Sequence, residues 1–404
     1  MISSLHTRLL LPWVALLPLV ADANWTQFRG PDGNGTLAGA TLPSSLPADG
    51  GVAWKASLPG RGLSCPVTVG DKVFVTCSSG PRQTRLHVLC FRASDGTKLW
   101  ERTVLATGRT MCHEKTCVAA PSPTTDGERV FALYSSNDLV CFDLDGNLLW
   151  FRGLTHDYPN ASNSLGMSSS LVVAEGVLLA QVENDTESFA AGIDVRTGVN
   201  LWKLDRPKMA NWCSPVVIRS AGRPTLFGLQ SGKGLLAVEP KTGGTAWNYT
   251  EGASTVASSA VRAGVIYAPS HGITALEPGS PGQPPSQLWR SSQLRPGTPS
   301  PVVLEDRIYV MNDAGVLTAG ELATGKRLWQ LRLKGPFSST PVAGANRLLA
   351  VNEKGLVQLV DLAKPEGEVV SEFDLGQTVL GTPSLTEGGV YIRSDAQLWK
   401  LRKP

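Results

Sequence analysis

Charge is scarce in this chain: Asp, Glu, Lys and Arg supply 18% of its 404 residues, against about 25% in ordinary globular domains. With a net charge of only +3, an electrostatic nucleic-acid binder is excluded. An apolar share of 42% equally excludes a disordered polyampholyte. Long apolar runs are also missing. The longest, residues 9–20, falls short of the roughly 20 residues that a membrane-crossing helix needs, so no membrane span is expected. No two cysteines are adjacent, and no Cys-x-x-Cys-His, Gly-x-Ser-x-Gly, phosphate-loop or dinucleotide pattern occurs. The usual sequence grounds for haem attachment, serine-hydrolase chemistry or nucleotide binding are therefore absent.

Turn-formers, by contrast, are abundant. The 42 Gly and 28 Pro are more than long helices tolerate, which argues against a helical bundle. Residues 1–23 read as a secretory signal, with Arg8 before the apolar run and Ala21-Asp22-Ala23 as a small-x-small cleavage site, so export to the periplasm or extracellular space is expected. In that oxidising setting seven cysteines can pair. Cys112 and Cys117 are the nearest two in sequence and form a possible disulfide. With His113 they could instead offer three soft metal ligands, but no second Cys/His pair stands at structural-zinc spacing, so no metal site is assigned.

A repeat organises the rest. Gly precedes Trp by four residues at Gly50/Trp54, Gly96/Trp100, Gly146/Trp150, Gly198/Trp202, Gly243/Trp247 and Gly325/Trp329, each Gly following Asp or Thr. These are turn signals between β-rich runs. From Trp100 onward the repeat tryptophans, including Trp289, are spaced by 50, 52, 45, 42 and 40 residues, the period of four-stranded propeller blades. A second landmark counts eight units: strand A opens at Cys65-Pro66, Ser122-Pro123, Ser170-Leu171, Ser214-Pro215, Ser259-Ala260, Ser300-Pro301, Thr340-Pro341 and Thr382-Pro383. The last unit ends without a fourth strand, whereas residues 52–58, carrying Trp54, form a fourth strand with no blade of their own. Joining the two closes the ring and removes the open edge. The expectation is an all-β, eight-bladed propeller of four-stranded antiparallel blades over residues 52–404, behind a signal peptide (1–23) and an N-terminal arm (24–51).

The fullest copies, Gly192-x-Asp194-x-x-Thr197-Gly198-x-x-x-Trp202, Ala237-x-Glu239-x-x-Thr242-Gly243-x-x-x-Trp247 and Ala319-x-Glu321-x-x-Thr324-Gly325-x-x-x-Trp329, resemble the tryptophan-docking motif of the quinoprotein alcohol dehydrogenase-like propellers, the PQQ-like repeat family. The resemblance implies that Trp54, Trp100, Trp150, Trp202, Trp247, Trp289 and Trp329 each pack on the Gly turn of the neighbouring blade. The opening Trp25-x-x-Phe28-Arg29-Gly30-Pro31-x-Gly33 is similar to the mature N-terminus of secreted PQQ-like repeat proteins, and reads as an arm packed on the propeller. Dehydrogenases of the family hold PQQ beneath a vicinal disulfide beside a Ca2+ or lanthanide ion, and no Cys-Cys dipeptide exists here. In length, blade count and docking motif the chain resembles BamB-type outer-membrane assembly factors, although their lipid-bearing cysteine is missing. The resemblance thus implies a non-catalytic, cofactor-free, monomeric scaffold for envelope or secreted proteins. A PQQ- and Ca2+-dependent alcohol or sugar dehydrogenase, and a carbohydrate or small-ligand binding module, are the alternatives.

One irregularity marks a candidate site. Strand-A starts are furthest apart between blades 1 and 2, where Pro66 and Pro123 are separated by 57 residues, and the excess lies in connections expected around the mouth of the central channel. The long polar loops there hold Arg109, His113, Glu114, His156, Asp157, Tyr158, Lys208 and Trp212, the residues proposed for ligand or partner binding.

Overall fold

The computed structural model describes residues 24–162, 164–279 and 282–402, so the signal segment lies outside the described residues. Eight four-stranded antiparallel sheets form the ring. Each blade runs outward from an inner strand A to an outer strand D. Blade 1, for example, comprises Val67–Val69, Lys72–Ser79, Arg85–Arg92 and Lys98–Leu105. The inner strands are covered on both faces and read as continuous apolar runs, as in Arg347–Val351 of blade 7. Strand D alternates instead: in Arg327–Arg332 of blade 6, Trp329 is buried while Leu328 and Gln330 face solvent. The ring closes where Val52–Ser57 pairs antiparallel with Gln397–Arg402, adding the first strand of the propeller to the last blade.

For six of the seven expected tryptophans, blade-to-blade contact is made by an indole on a glycine turn; at Trp247 the insertion of blade 5 meets blade 4 instead through Gly282 N–H on the neighbouring Ala246 O at 2.8 Å. Trp54, Trp100, Trp150, Trp202 and Trp289 lie over Gly96, Gly146, Gly198, Gly243 and Gly325, whose positive φ (69–85°) presents a bare Cα to the ring. In the Trp100 example a Cβ on Gly146 would stand 2.8 Å from the indole, and the same Trp Nε1 donates to Leu144 O at 3.0 Å. Phe74 and Phe142 flank this indole with ring centroids 5.8 and 6.0 Å away. Trp329 packs on Gly367. The junction of blades 7 and 8 lacks a tryptophan, and Phe373 covers Gly50 there. The sequence pattern passes over Phe373 because it stands six residues after Gly367 rather than four.

The N-terminal arm does more than pack on the surface: it seals one end of the central channel. Trp25 and Thr68 exchange hydrogen bonds of 2.9 Å, and Thr125 N–H donates to Thr26 O on blade 2. The arm then crosses to the opposite side, where Asn34 O and Gly35 O accept from Val303 and Ala343 at 3.0 Å. Arg29, 1% exposed, donates to the carbonyls of Ser259 and Pro301. Burial lowers its guanidinium to about 9, which leaves it charged at neutral pH. Thr68, Thr125, Val303 and Ala343 stand within strand A, so the sealed end is opposite the D–A connections, whereas Ser259 and Pro301 immediately precede strand A and Arg29 reaches up the channel to them.

The seven cysteines are all free, which corrects the expected Cys112–Cys117 bridge. Cys112 Sγ instead accepts from Gln83 Nε2 at 3.5 Å. Cys117 is fully buried among apolar neighbours, with its thiol pushed up to about 12 by that burial. Short spacing in sequence does not set the mutual direction of two Cβ–Sγ bonds, which a disulfide requires.

Candidate functional site

At the open end of the channel the backbone N–H just before each strand A would be stranded in the wall, since neighbouring inner strands splay around the axis. A hydroxyl from the next blade takes seven of the eight. Cys65 N–H donates to Ser122 Oγ (2.8 Å), Ser122 to Ser170 (3.0 Å), Ser170 to Ser214 and Ser214 to Ser258 (both 2.9 Å). The relay continues from Ser258 to Ser300 and Ser300 to Thr340 (both 3.0 Å), then Thr340 to Thr382 (3.1 Å). The expected start of strand A in blade 5 shifts by one residue: Ser258, not Ser259, occupies the relay position, and strand A there is Ala260–Arg262. The eighth position is Cys65, whose thiol receives the Trp25 indole N–H at 3.3 Å.

Above this ring of hydroxyls is a funnel of about 520 Å³. Its floor is Phe28, carried up the channel by the arm, with the Arg29 guanidinium 5.4 Å from the Phe28 ring centroid. Its collar is apolar, with Leu63, Leu165, Trp212, Val256 and Leu380 each contributed by a different D–A connection. Leu165 and Val256 are 46% and 41% exposed, and Met111 on the same loop cluster is 49% exposed. On one side the long connection between blades 1 and 2 leans over the mouth. It is held by Lys115, whose Nζ reaches both carboxylate oxygens of Glu353 in blade 7 at 3.1 Å, and by His113 N–H on Leu165 O at 2.9 Å.

Trp212 is fixed from both sides. Its main-chain N–H donates to Thr255 O (2.7 Å), its indole N–H to Gly166 O (3.1 Å), and Ser168 Oγ donates to its carbonyl (3.0 Å). The flanking Asn211 anchors the loop to a buried ion pair, donating to Glu183 Oε2 at 2.8 Å while Arg206 Nε meets Oε1 at 2.6 Å. Burial raises the Glu183 carboxyl in spite of Arg206 and Asn211, as expected for a carboxylate with no exposed side chain.

Of the residues singled out from sequence, His113 and Trp212 line this funnel. The others do not converge on it. Arg109 donates to Ser162 Oγ (3.1 Å) on the outer rim, and Glu114 is exposed, lending only its carbonyl to Arg61. His156 and Asp157 lie exposed on a one-turn helix, Leu154–Asp157, where Asp157 pairs with Arg152. Tyr158 packs on Phe189 with centroids 4.1 Å apart and accepts from Asn200 (2.7 Å). Lys208 lines a separate outer groove with Asn160 and Lys203. Sequence reasoning passed over Phe28 and the hydroxyl ring, although both stand within motifs it had marked as arm and strand punctuation.

The funnel lining contains no carboxylate, and among the described residues no group of three or more His, Cys, Asp or Glu is placed to hold a metal ion. The residues present therefore do not fit PQQ with Ca2+ as family dehydrogenases hold it. Among the described residues no helix is long and apolar enough to cross a membrane.

A family model described as outer membrane protein assembly factor BamB matches residues 39–181, 87–275 and 273–370. No curated protein matches the sequence. Among solved structures, BamB from Moraxella catarrhalis is similar with a TM-score of 0.60 at 15% identity, over 86% of this chain and 97% of that one. A europium-containing methanol dehydrogenase gives 0.68 at 13% identity, over 89% and 87%. The quinohemoprotein alcohol dehydrogenase of Comamonas testosteroni gives 0.69 at 15%, over 95% and 82%. At such identities these likenesses establish the fold, which binding proteins and oxidoreductases share.

Proposed function

The chain belongs to the BamB family of PQQ-repeat propellers, and on that premise we propose that it is an exported scaffold, periplasmic or extracellular, that docks an envelope or secreted protein at the channel mouth. The observation that carries this reading is the funnel: an apolar collar with exposed Leu165 and Val256, over a rigid hydroxyl ring and a closed Phe28 floor. That shape suits a bulky side chain presented by a partner, the way interface anchors enter pockets. The absence of a carboxylate from the lining supports binding at the axis rather than quinone chemistry there.

The test is chemical cross-linking of the purified protein to an envelope extract, comparing wild type with Leu165→Glu/Val256→Glu. Partners lost from the double variant at unchanged thermal stability support the scaffold. Identical partners in both, or alcohol-dependent dye reduction after loading with PQQ and Ca2+, would overturn it. Trp212 over a ring of hydroxyls also favours a second reading, a carbohydrate or similar small ligand. Ligand-dependent thermal stabilisation that Trp212→Ala abolishes would select that one.

A further inference from the structure

Blade 1 is built larger than the others. Its strands B, C and D each have eight residues, Lys72–Ser79, Arg85–Arg92 and Lys98–Leu105, and among the described residues no strand of another blade exceeds seven. Cys77 and Thr103 stand directly across from His87 on the two flanking strands, and Leu89 pairs with Glu101. Ser79 and Glu101 are therefore the diagonal neighbours of His87 on one face of the sheet. Ser79 Oγ lies 2.7 Å from His87 Nε2, and His87 Nδ1 lies 3.0 Å from Glu101 Oε1 and from Thr103 Oγ1. Lys98 Nζ holds the second carboxylate oxygen at 2.7 Å, and Tyr134 OH donates to His87 O at 2.8 Å. His87 is buried, and Ser79 is half-buried at the end of its strand.

These contacts fix the protons. An ionised carboxylate only accepts, so the hydrogen of the neutral imidazole sits on Nδ1, and Nε2 offers its lone pair to the Ser79 hydroxyl, which donates. This is the order of nucleophile, base and orienting acid used in acyl transfer. A second observation points to the same place. The turn that follows Ser79 is held in left-handed backbone at Gly80 (φ 76°), Arg82 (φ 54°) and Gln83 (φ 59°), and consecutive non-glycine residues of that kind cluster at functional sites. The Gly80 amide makes no hydrogen bond among the described residues, and Arg85 packs along that glycine.

We propose that Ser79, His87 and Glu101 form an acyl-transfer centre that hydrolyses small esters, apart from the channel-mouth socket. Ser79 Oγ bonds to the acyl carbon as its proton passes to His87 Nε2, with the Gly80 amide beside the developing oxyanion. The acyl–alkoxy bond breaks, and the departing alkoxide takes the proton from Nε2. Water, deprotonated by the same nitrogen, then attacks the acyl-serine, and the free acid leaves as Ser79 regains its proton. Glu101 is a positioning residue.

The charges around His87 are Glu101 and Lys98 from strand D and Arg85 from strand C. From the packed blade 8, Arg393 bonds the adjacent Cys77 and Asp395 pairs with Arg61. Burial, the largest influence, lowers the imidazole, while Glu101 raises it. Glu101→Gln therefore moves the acid limb of the rate–pH profile to lower pH.

The experiment is labelling of the full chain with a fluorophosphonate, read by intact mass, together with p-nitrophenyl acetate turnover. Wild type should take one adduct, mapped to Ser79. Ser79→Ala, at an unchanged melting temperature, should take none and lose turnover by at least about 100-fold. Glu101→Gln should react at least about tenfold more slowly with the shifted acid limb. An unlabelled wild type, equal labelling of Ser79→Ala, or an unchanged rate and pH profile in Glu101→Gln would overturn the proposal.

Discussion

The two ends of the central channel solve the same problem in opposite ways. At both, inner strands present main-chain groups to the axis with no neighbouring strand to receive them. At the sealed end the chain's own arm supplies the partners: Thr68, Thr125, Val303 and Ala343 donate to backbone oxygens of residues 25–35. At the mouth the partners are side-chain hydroxyls passed from blade to blade. Backbone satisfied by backbone leaves no donor over, and the arm spans that end beside a cavity of about 680 Å³ between residues 32–41 and the A–B turns of blades 4 to 7. Backbone satisfied by a hydroxyl leaves the hydroxyl's own hydrogen, so the mouth keeps a polar ring under its apolar collar and can receive something from outside.

This contrast can be broken at defined points. The largest effect is expected from Glu183→Ala, which strands Arg206 in the wall behind the Trp212 loop. A loss of about 3–5 kcal/mol is expected in denaturant unfolding, together with quenching changes at Trp212 if the loop loosens. On the arm, Arg29→Ala leaves the Ser259 and Pro301 carbonyls, which stand just below the hydroxyl ring, without their donor. It should cost about 3 kcal/mol and should speed amide exchange of Val303 and Ala343 more than that of Ser300. Ser258→Ala interrupts the relay at the mouth, leaving the Ser214 N–H without an acceptor. About 1–3 kcal/mol is expected, while exchange at Thr68 and Thr125 stays unchanged. Lys115→Ala removes an ion pair whose lysine side chain is 58% exposed, so its effect on melting temperature should be near the limit of detection. If Ser258→Ala proved costlier than Arg29→Ala, the mouth rather than the arm would be the more rigid end.

The propeller was readable because its repeat is a spacing, and spacing survives in sequence. Gly and Trp four apart mark a turn and the indole that lies on the next turn, so the fold, the blade count and the closing strand followed. The exceptions follow from what spacing does not carry. Phe373 does the work of a tryptophan from a position two residues further along its strand. Ser258 and Ser259 are adjacent, and only the blade-to-blade hydrogen bond tells which is in register. The long loops pointed to the mouth, and His113 and Trp212 reached it. Arg109, Asp157 and Tyr158 are spent on local contacts with Ser162, Arg152 and Phe189. Ser79, His87 and Glu101 stood in no motif, since three strands must find their register before those side chains meet.

Pairing Val52 with Leu401 has a consequence in time. The strand Val52–Ser57 that completes blade 8 is made before the other propeller strands and can engage its partner only when Gln397–Arg402 has followed, hundreds of residues later. Contacts so distant along the chain form late. Until then, blades 1 and 7 face a gap where blade 8 will stand, and the arm, whose Leu37, Leu42 and Leu46 belong to one apolar cluster with Leu385, Val390 and Leu401 of that blade, cannot fully seat. Assembly should therefore finish in one concerted step at the seam, and a chain cut short by a single strand would lose the latch of the whole ring rather than one blade.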